Sequence, residues 1–333
     1  MAAGALVSKT SFSGLRPVDL RTDIGGIADL IEICFGPTMT ETGRATVREM
    51  RMVSQSGFLT LLLYGADRLF DGLEQGFVWI ENGRVVGNVS VSPSNLPRSE
   101  GQGFIIANVA VHPDYQRQGL AHSLMFAALD LVRAKRGDFA ILQVDADNEV
   151  AIRLYKRVGF RTQRSFIQWY RSPQARTPAR LVQMPSITLR QPNEWQSEYA
   201  LAQLVRPNIR GGLSWLRATH PNNFKPSVWQ GLSGWTLGRS EERWIIRHSD
   251  TREIIGSLHK MSSFGGPDRL ELLVHPSQHG KLEEPLLNYG LRSLEGRRSI
   301  IMEHPEDDDE TTGILQQYAF QRRQTLISMR YDF

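Results

Sequence analysis

The residues of this chain with the clearest chemical potential are Gln116-Arg117-Gln118-Gly119-Leu120-Ala121, which follow directly on Val109-Ala110-Val111-His112-Pro113. The apolar run reads as a strand that stops at Val111, because Pro113 has no N–H to add to a sheet ladder. A helix opening near Gln118, straight after a tight turn, leaves its first N–H groups without intrahelical partners, and its dipole end is positive. That combination binds anions, a pyrophosphate above all. Gly119 lets the backbone approach the phosphates, Ala121 is small for the same reason, and Gln116 and Arg117 add side-chain donors. The plain alternative is a glycine-permitted turn before an ordinary helix, and it would need no second motif.

A second motif is present: Asn148-x-x-Ala151-x-x-Leu154-Tyr155-x-x-x-Gly159-Phe160. Together the two resemble the GCN5-related N-acetyltransferase (GNAT) superfamily, whose central signature is Gln/Arg-x-x-Gly-x-Gly/Ala after a strand and at the start of a helix. The resemblance runs from about Leu15 to Tyr170 and is closest to the ribosomal-protein N-terminal acetyltransferase branch. It implies acetyl-CoA as acyl donor, held at the turn by Gln116, Arg117, Gln118, Gly119, Ala121 and His122. It also implies that residues 109–111 splay from the strand at 139–144, so that backbone groups of Val109 and Val111 pair with the pantetheine arm like an added strand. Asn148 would hydrogen-bond the pantetheine, and Tyr155 would sit near the sulfur as the acid. The implied reaction is direct attack of a neutral amine on the thioester in a ternary complex, where proximity supplies much of the rate. A backbone N–H of residues 109–111 is the candidate donor to the developing oxyanion.

The general base departs from the pattern. The closest branch carries a glutamate on the strand before the Asn motif, and Gln143 stands there in this chain. A glutamine cannot usefully accept a proton. Asp145, two residues on and on the same strand face, is the substitute, or a water chain carries the proton with Asn108 as its holder. Read alone, Tyr155 would be a packed helix-face tyrosine. His112 reads as a solvated turn residue, and Cys34, in the apolar run 31–35, as a packed core thiol.

The elements that must position these residues follow from pattern. Residues 15–17 read as a strand end, 19–35 as a helix, and 41–63 as further helix. Asn82-Gly83 between the apolar runs 76–80 and 85–91 marks a two-residue hairpin. A strand at 104–111, a helix at 118–134, a strand at 139–144, a helix at 148–158 and an extended stretch at 160–170 complete the first half. The second half repeats the order. Leu189-Arg190 echoes Leu15-Arg16, residues 244–256 echo the hairpin, His275-Pro276 follows a strand as His112-Pro113 does, and Tyr318-Ala319-Phe320 echoes Val158-Gly159-Phe160. A repeat of this kind changes the whole reading. The expectation is α/β (α+β), with two tandem GNAT-like units, each a mixed, mostly antiparallel sheet with a splayed strand pair flanked by helices. The catalytic domain is 1–171, the polar, Pro-containing linker 172–185, and the degenerate second domain 186–333. In that copy Leu282 replaces the glycine, Glu283 and Glu284 occupy the helix start, and Leu315 and Gln316 stand where the Asn and Tyr motif is sought. The acidic run 306–310 reads as a solvated loop.

Bulk properties narrow the class. The chain has 333 residues, 41% hydrophobic and 22% charged, with a formal net charge of +4. No block of Lys and Arg marks a nucleic-acid protein, no run approaches the ~18 apolar residues of a membrane span, and residues 1–14 hold no signal-peptide core. One cysteine fits a reducing, cytoplasmic setting. The expected partners are a small-molecule or peptide amine, with no nucleic acid, metal or membrane, and the chain is a monomer or homodimer. The competing reading is a non-catalytic acyl-CoA-binding sensor, supported by Gln143.

Overall fold

The computed structural model describes residues 12–36, 39, 41–56, 75–214, 217–226, 240–263, 266–294 and 298–333. Asn82 and Gly83 both take positive φ, 50° and 75°, the backbone a two-residue hairpin needs to match strand twist. They join β2 (Gly76–Glu81) to β3 (Arg84–Pro93). Before them come β1 (Gly14–Pro17), α1 (Leu20–Phe35) and α2 (Glu41–Ser56). Asp19 caps α1 by accepting from Arg21 N–H at 3.0 Å. The expected helix beyond Ser56, to residue 63, lies outside the described residues. Next come β4 (Gly103–Val111), α3 (Leu120–Ala134), β5 (Phe139–Asp145), α4 (Glu149–Val158) and β6 (Arg161–Arg171).

The second half runs β7 (Thr188–Leu189), α5 (Trp195–Val205), β8 (Ser240–Arg247), β9 (Ile254–Ser262), β10 (Asp268–Val274), α6 (Glu283–Ser293), β11 (Ile300–Pro305), α7 (Asp309–Gln317) and β12 (Phe320–Asp332). The repeat extends to side chains. Arg16 clamps Asp23 through two bonds of 2.6 and 2.7 Å at the start of the first half, and Arg190 pairs with Glu198 at 2.9 Å at the start of the second.

Among the described residues twelve strands form one mixed sheet in the order β1-β2-β3-β4-β5-β12-β6-β11-β10-β9-β8-β7. Each half therefore gives its last strand to the other. β12 lies antiparallel between β5 and β6, and β6 lies between β12 and β11. The cores follow this exchange. Met329, Ile327 and Tyr331 of β12 pack with α3, α4 and β5, whereas Ile167 and Trp169 of β6 pack with α6, α7 and β10. α1 and α2 cover the opposite sheet face over Val78 and Ile80, and α5 does the same over Ile245 and Leu273.

Burying each such side chain is worth about 1.5–3 kcal/mol, and the exchanged strands also close two sheet edges. Residues 1–171 expressed alone are therefore expected to be aggregated or unfolded by size exclusion and circular dichroism. Co-expression with 172–333 is expected to restore a soluble complex. A monomeric, cooperatively unfolding 1–171 fragment would show instead that β6 falls back onto β5. Among the described residues no helix is long and apolar enough to cross a membrane, and no group of three or more His, Cys, Asp or Glu could hold a metal.

Candidate active site

The turn expected to bind an anion has an unusual backbone. Arg117 (φ 61°) and Gly119 (φ 87°) both lie in the left-handed region, one residue apart. Gly119 is the N-cap of α3 and brings no side chain to its first-turn N–H groups, so these face outward together as an anion-binding concavity. A Cβ built on Gly119 would meet nothing within 4 Å; the space over the turn is open. Arg117, Gln118 and His122 are exposed and Ala121 is half-buried. The Gln116 amide does not point outward as a phosphate donor. Its Nε2 donates to the Val111 carbonyl at 3.1 Å and braces the turn against its strand. Cys34 also reaches this carbonyl, at 3.5 Å, and burial pushes its thiol pKa up, away from nucleophilic use.

β4 and β5 are paired only from Gly103↔Phe139 to Ile105↔Ile141. Beyond Ile105 they diverge, which leaves the β5-facing edge of β4 open up to Val111. His112 N–H bonds Val86 O at 2.8 Å on the β3 side, so by alternation the N–H and C=O of Val111 face the gap. The sequence reading missed a β-bulge in this strand. The register shifts between Asn88↔Ala110 and Ser90↔Ala107, with Asn108 at φ 53°. Asn88 Nδ2 donates to Asn108 O at 3.0 Å, and Asn108 Nδ2 donates to Ser90 Oγ at 3.3 Å. Asn108 thus holds the bulge together, and asparagine's tolerance of left-handed φ was the available signal.

On the far side of the gap, Asn148 caps α4 by accepting from Ala151 N–H at 3.1 Å, which leaves its NH2 for a ligand. Tyr155 is 6% exposed in the α3–α4 core, edge-on to Phe160. Burial pushes its pKa up to about 12, so the phenol keeps its proton at neutral pH.

The other sheet face carries Ile105, Ile141 and Gln143, alternating with the core residues Phe104, Ile106, Leu142 and Val144. Here a shallow cleft open to solvent is lined by both halves of the chain, including Ser94, Gln143, Gln163, Arg217, Ser328 and Arg330. Gln143 Nε2 donates to Ser328 Oγ at 3.0 Å, while its buried Oε1 has no partner. Asp145, at the end of β5, accepts from Gln324 Nε2 at 2.6 Å and Asp147 N–H at 3.0 Å. Both of its oxygens are thereby oriented by the chain.

Residues 46–160 match the family described as Acetyltransferase (GNAT) family. The chain carries a GNAT domain. The match spans the turn, the splayed strands and α4. Among curated relatives, N-alpha-acetyltransferase 30 of Schizosaccharomyces pombe is 30% identical over 97 residues, covering 29% of this chain and 64% of that one. Mycothiol acetyltransferase of Saccharomonospora viridis is 38% identical over 100 residues, covering 28% and 32%. The Escherichia coli ribosomal protein bS18 alanine N-acetyltransferase is 38% identical over 79 residues, covering 23% and 53%. The chain thus spans between about a third and two thirds of these relatives. Solved structures extend the likeness to the full length, as a likeness of fold. A GCN5-related N-acetyltransferase from Sphaerobacter thermophilus has TM-score 0.57 at 15% identity, covering 96% of this chain and 95% of its own. A tandem GNAT protein from the clavulanic acid biosynthesis pathway has TM-score 0.53 at 17% identity, covering 96% and 98%.

The second half of the chain repeats the frame and fills the corresponding place. β10 and β11 also pair over only three residues, Asp268–Leu270 with Ile300–Met302, and then splay. Gly280 (φ 78°) repeats the left-handed Arg117, but Leu282, at Gly119's place, has φ −108°. Glu283 accepts from Leu282 N–H at 3.2 Å and contacts His279 at 2.7 Å, and Glu284 accepts from the Tyr318 hydroxyl at 3.0 Å. Counted from the helix N-caps, Asp308, which caps α7, stands at Asn148's position and Leu315, seven residues on, at Tyr155's. The run 306–310 is solvated only in part: Asp307, Asp309 and Glu310 are exposed, but Asp309 and Glu310 already belong to α7. Asp307 pairs with Arg164 and Arg210, Asp308 caps α7, and Glu306 pairs with Arg322; helix start and ion pairs outweigh the local charge density.

The splay itself is plugged. Arg206, at the end of α5 and 4% exposed, comes from the face of Leu273 and donates to His304 Nδ1 at 3.2 Å. By alternation His304 points to the face of Met302, so the guanidinium lies in the gap between β10 and β11. His304 Nε2 in turn meets Asp308 Oδ2 at 2.6 Å. With Nδ1 accepting from an arginine, the ring must be neutral. Burial and the charges of Arg206 and Arg164 outweigh Asp308 and push the His304 pKa down to about 4. The sign follows. A depressed pKa contributes stability that is present above the unfolded value near 6.5 and lost as pH falls toward 4, a loss of at most about 3 kcal/mol. The thermal midpoint is expected to fall over this window, and His304→Gln to flatten that part of the slope. An unchanged slope in the variant would remove His304 as its source.

Proposed function

We propose that this chain is an acetyl-CoA-dependent N-acetyltransferase with one working unit, acting on a primary amine. The observation that carries the reading is the left-handed turn at Arg117 and Gly119, opening α3 beside a β4 edge with no partner strand. The first-turn N–H groups, Arg117 and Gln118 would hold the pyrophosphate, with Ala121 and His122 beside it. Val109 and Val111 would pair with the pantetheine, and the Asn148 NH2 would meet it from α4. Acetyl-CoA supplies the activated acyl group, and the chain places the amine and moves the protons. The gap would join the Tyr155 face to the cleft face, so an amine in the cleft would reach the thioester from the side opposite α3 and α4. A backbone N–H of residues 109–111 would polarise the acyl oxygen. Asp145, oriented by Gln324, is the proposed acceptor of the amine proton, and Tyr155 the proposed donor to the departing thiolate.

The Arg206 guanidinium would occupy the place of a pantetheine arm in the second splay, and the Glu283 and Glu284 carboxylates would meet the phosphates with like charge, so both oppose a second cofactor. Calorimetric titration with acetyl-CoA is expected to give one site per chain. Thiol release over a panel of amines is expected to show turnover. Binding with no turnover across the panel would favour the sensor reading that Gln143 supports, and two equal sites would overturn the single-unit reading.

A further inference from the structure

The cleft on the α1 face has a chemical character that selects among amines. Among the described residues its lining holds no carboxylate, and it holds two arginines, both from the second half of the chain. Arg330 stacks on the Phe139 ring at 3.8 Å and gives only its Nε to Asp332, at 2.7 Å. Asp332 is 62% exposed, so water screens that pair while the two terminal nitrogens of Arg330 keep their donors. Arg217 gives Nη1 to the buried Glu271 at 2.8 Å. Glu271 also lies in the fields of Arg243 and Arg206, which help hold its pKa down against burial. On the same sheet face, one strand over and two residues along, Gln143 Oε1 is buried with no donor, and an unsatisfied buried acceptor is costly until a ligand N–H meets it. The floor of the cleft thus sets an acceptor that lacks an N–H donor beside a planar, partly unused guanidinium suited to a carboxylate or phosphate.

We infer that the acceptor is a small amine bearing its own anionic group, with its N–H on Gln143 Oε1 and its anion on Arg330, backed by Arg217. This rests on the acetyltransferase reading and narrows it. A polyamine finds no counter-charge among the described lining residues, and the N-terminus of a long peptide brings no backbone carboxylate near its amine. The exchanged β12 thereby gives the second half a role in the first unit's specificity, through Arg330.

The test uses the full chain saturated with CoA, so that binding is read apart from turnover. Calorimetry compares amino acids with their amides, phosphoethanolamine with ethanolamine, and both sets with spermidine. Anionic amines are expected to bind roughly 10–100-fold tighter than their neutral matches. The carboxylate and phosphate arms identify which anion is used. Arg330→Met is expected to erase the preference and Arg330→Lys to keep part of it, with CoA affinity unchanged in both. Equal or better binding of amides, ethanolamine or spermidine overturns the inference, as does no binding of any anionic amine, or an undiminished preference in Arg330→Met. Failure of the acetyltransferase reading would show separately, as absence of CoA binding.

Discussion

Gly119→Glu is expected to abolish measurable acetyl-CoA binding in a folded protein. The space over Gly119 is open to 4 Å, so the new side chain enters it without a steric clash. It then puts a carboxylate where the phosphates would sit. Two like charges about 4 Å apart repel by about 4 kcal/mol at an effective dielectric near 20, or roughly a thousandfold in affinity. The substitution carries a second cost, because φ at 119 is 87° and a residue with a Cβ loses roughly 1–2 kcal/mol there. Gly119→Ala separates the two. It bears the backbone cost without the charge, and is expected to lower the thermal midpoint while keeping affinity within about tenfold. Leu282→Gly, at the matching place in the second unit, should leave affinity unchanged. A folded Gly119→Glu protein with wild-type affinity would remove the turn from cofactor binding altogether.

Tyr155→Phe is expected to leave acetyl-CoA affinity intact and slow turnover by about 10²–10⁴-fold. The aromatic packing with Phe160 and the α3–α4 core survives the change, so a loss of rate reports the hydroxyl. Burial raises the phenol pKa to about 12, above an unfolded value near 10. The stability linked to this group is therefore complete below pH 10 and lost only as pH rises through 10 to 12. No basic limb in the rate profile between pH 7 and 9 should come from Tyr155. Pre-steady-state and steady-state rates, with a thermal midpoint as fold control, check the variant. Equal kcat in variant and wild type would assign Tyr155 to packing alone.

The expected backbone features are present where the structure is local. Gly119 lies in the left-handed region, and Asn148 caps its helix while presenting its amide, because turn and cap preferences act over three or four residues. Expectation and structure diverge where a side chain has a choice of partners. Gln116 reads as a phosphate donor, yet its amide bonds Val111 O. Asn108 reads as a water holder, yet it secures a bulge against Asn88 and Ser90. The run at 306–310 reads as solvated, yet Asp308 is a helix cap joined to His304.

By itself the sequence determined the order of elements, the duplication, the hairpin at Asn82-Gly83, and the loss of the second anion turn at Leu282. Each follows from residue type and period along a short stretch of chain. Only the tertiary structure decided that β6 and β12 change places, that Arg206 fills the second splay, and that Arg330 from the last strand lines the first unit's cleft. The two units are repeats, so both last strands fit either place by local pattern. The choice between them rests on contacts such as Met329 with the α3–α4 core and Trp169 with the α6–α7 core, between residues more than a hundred positions apart, which no local preference can encode.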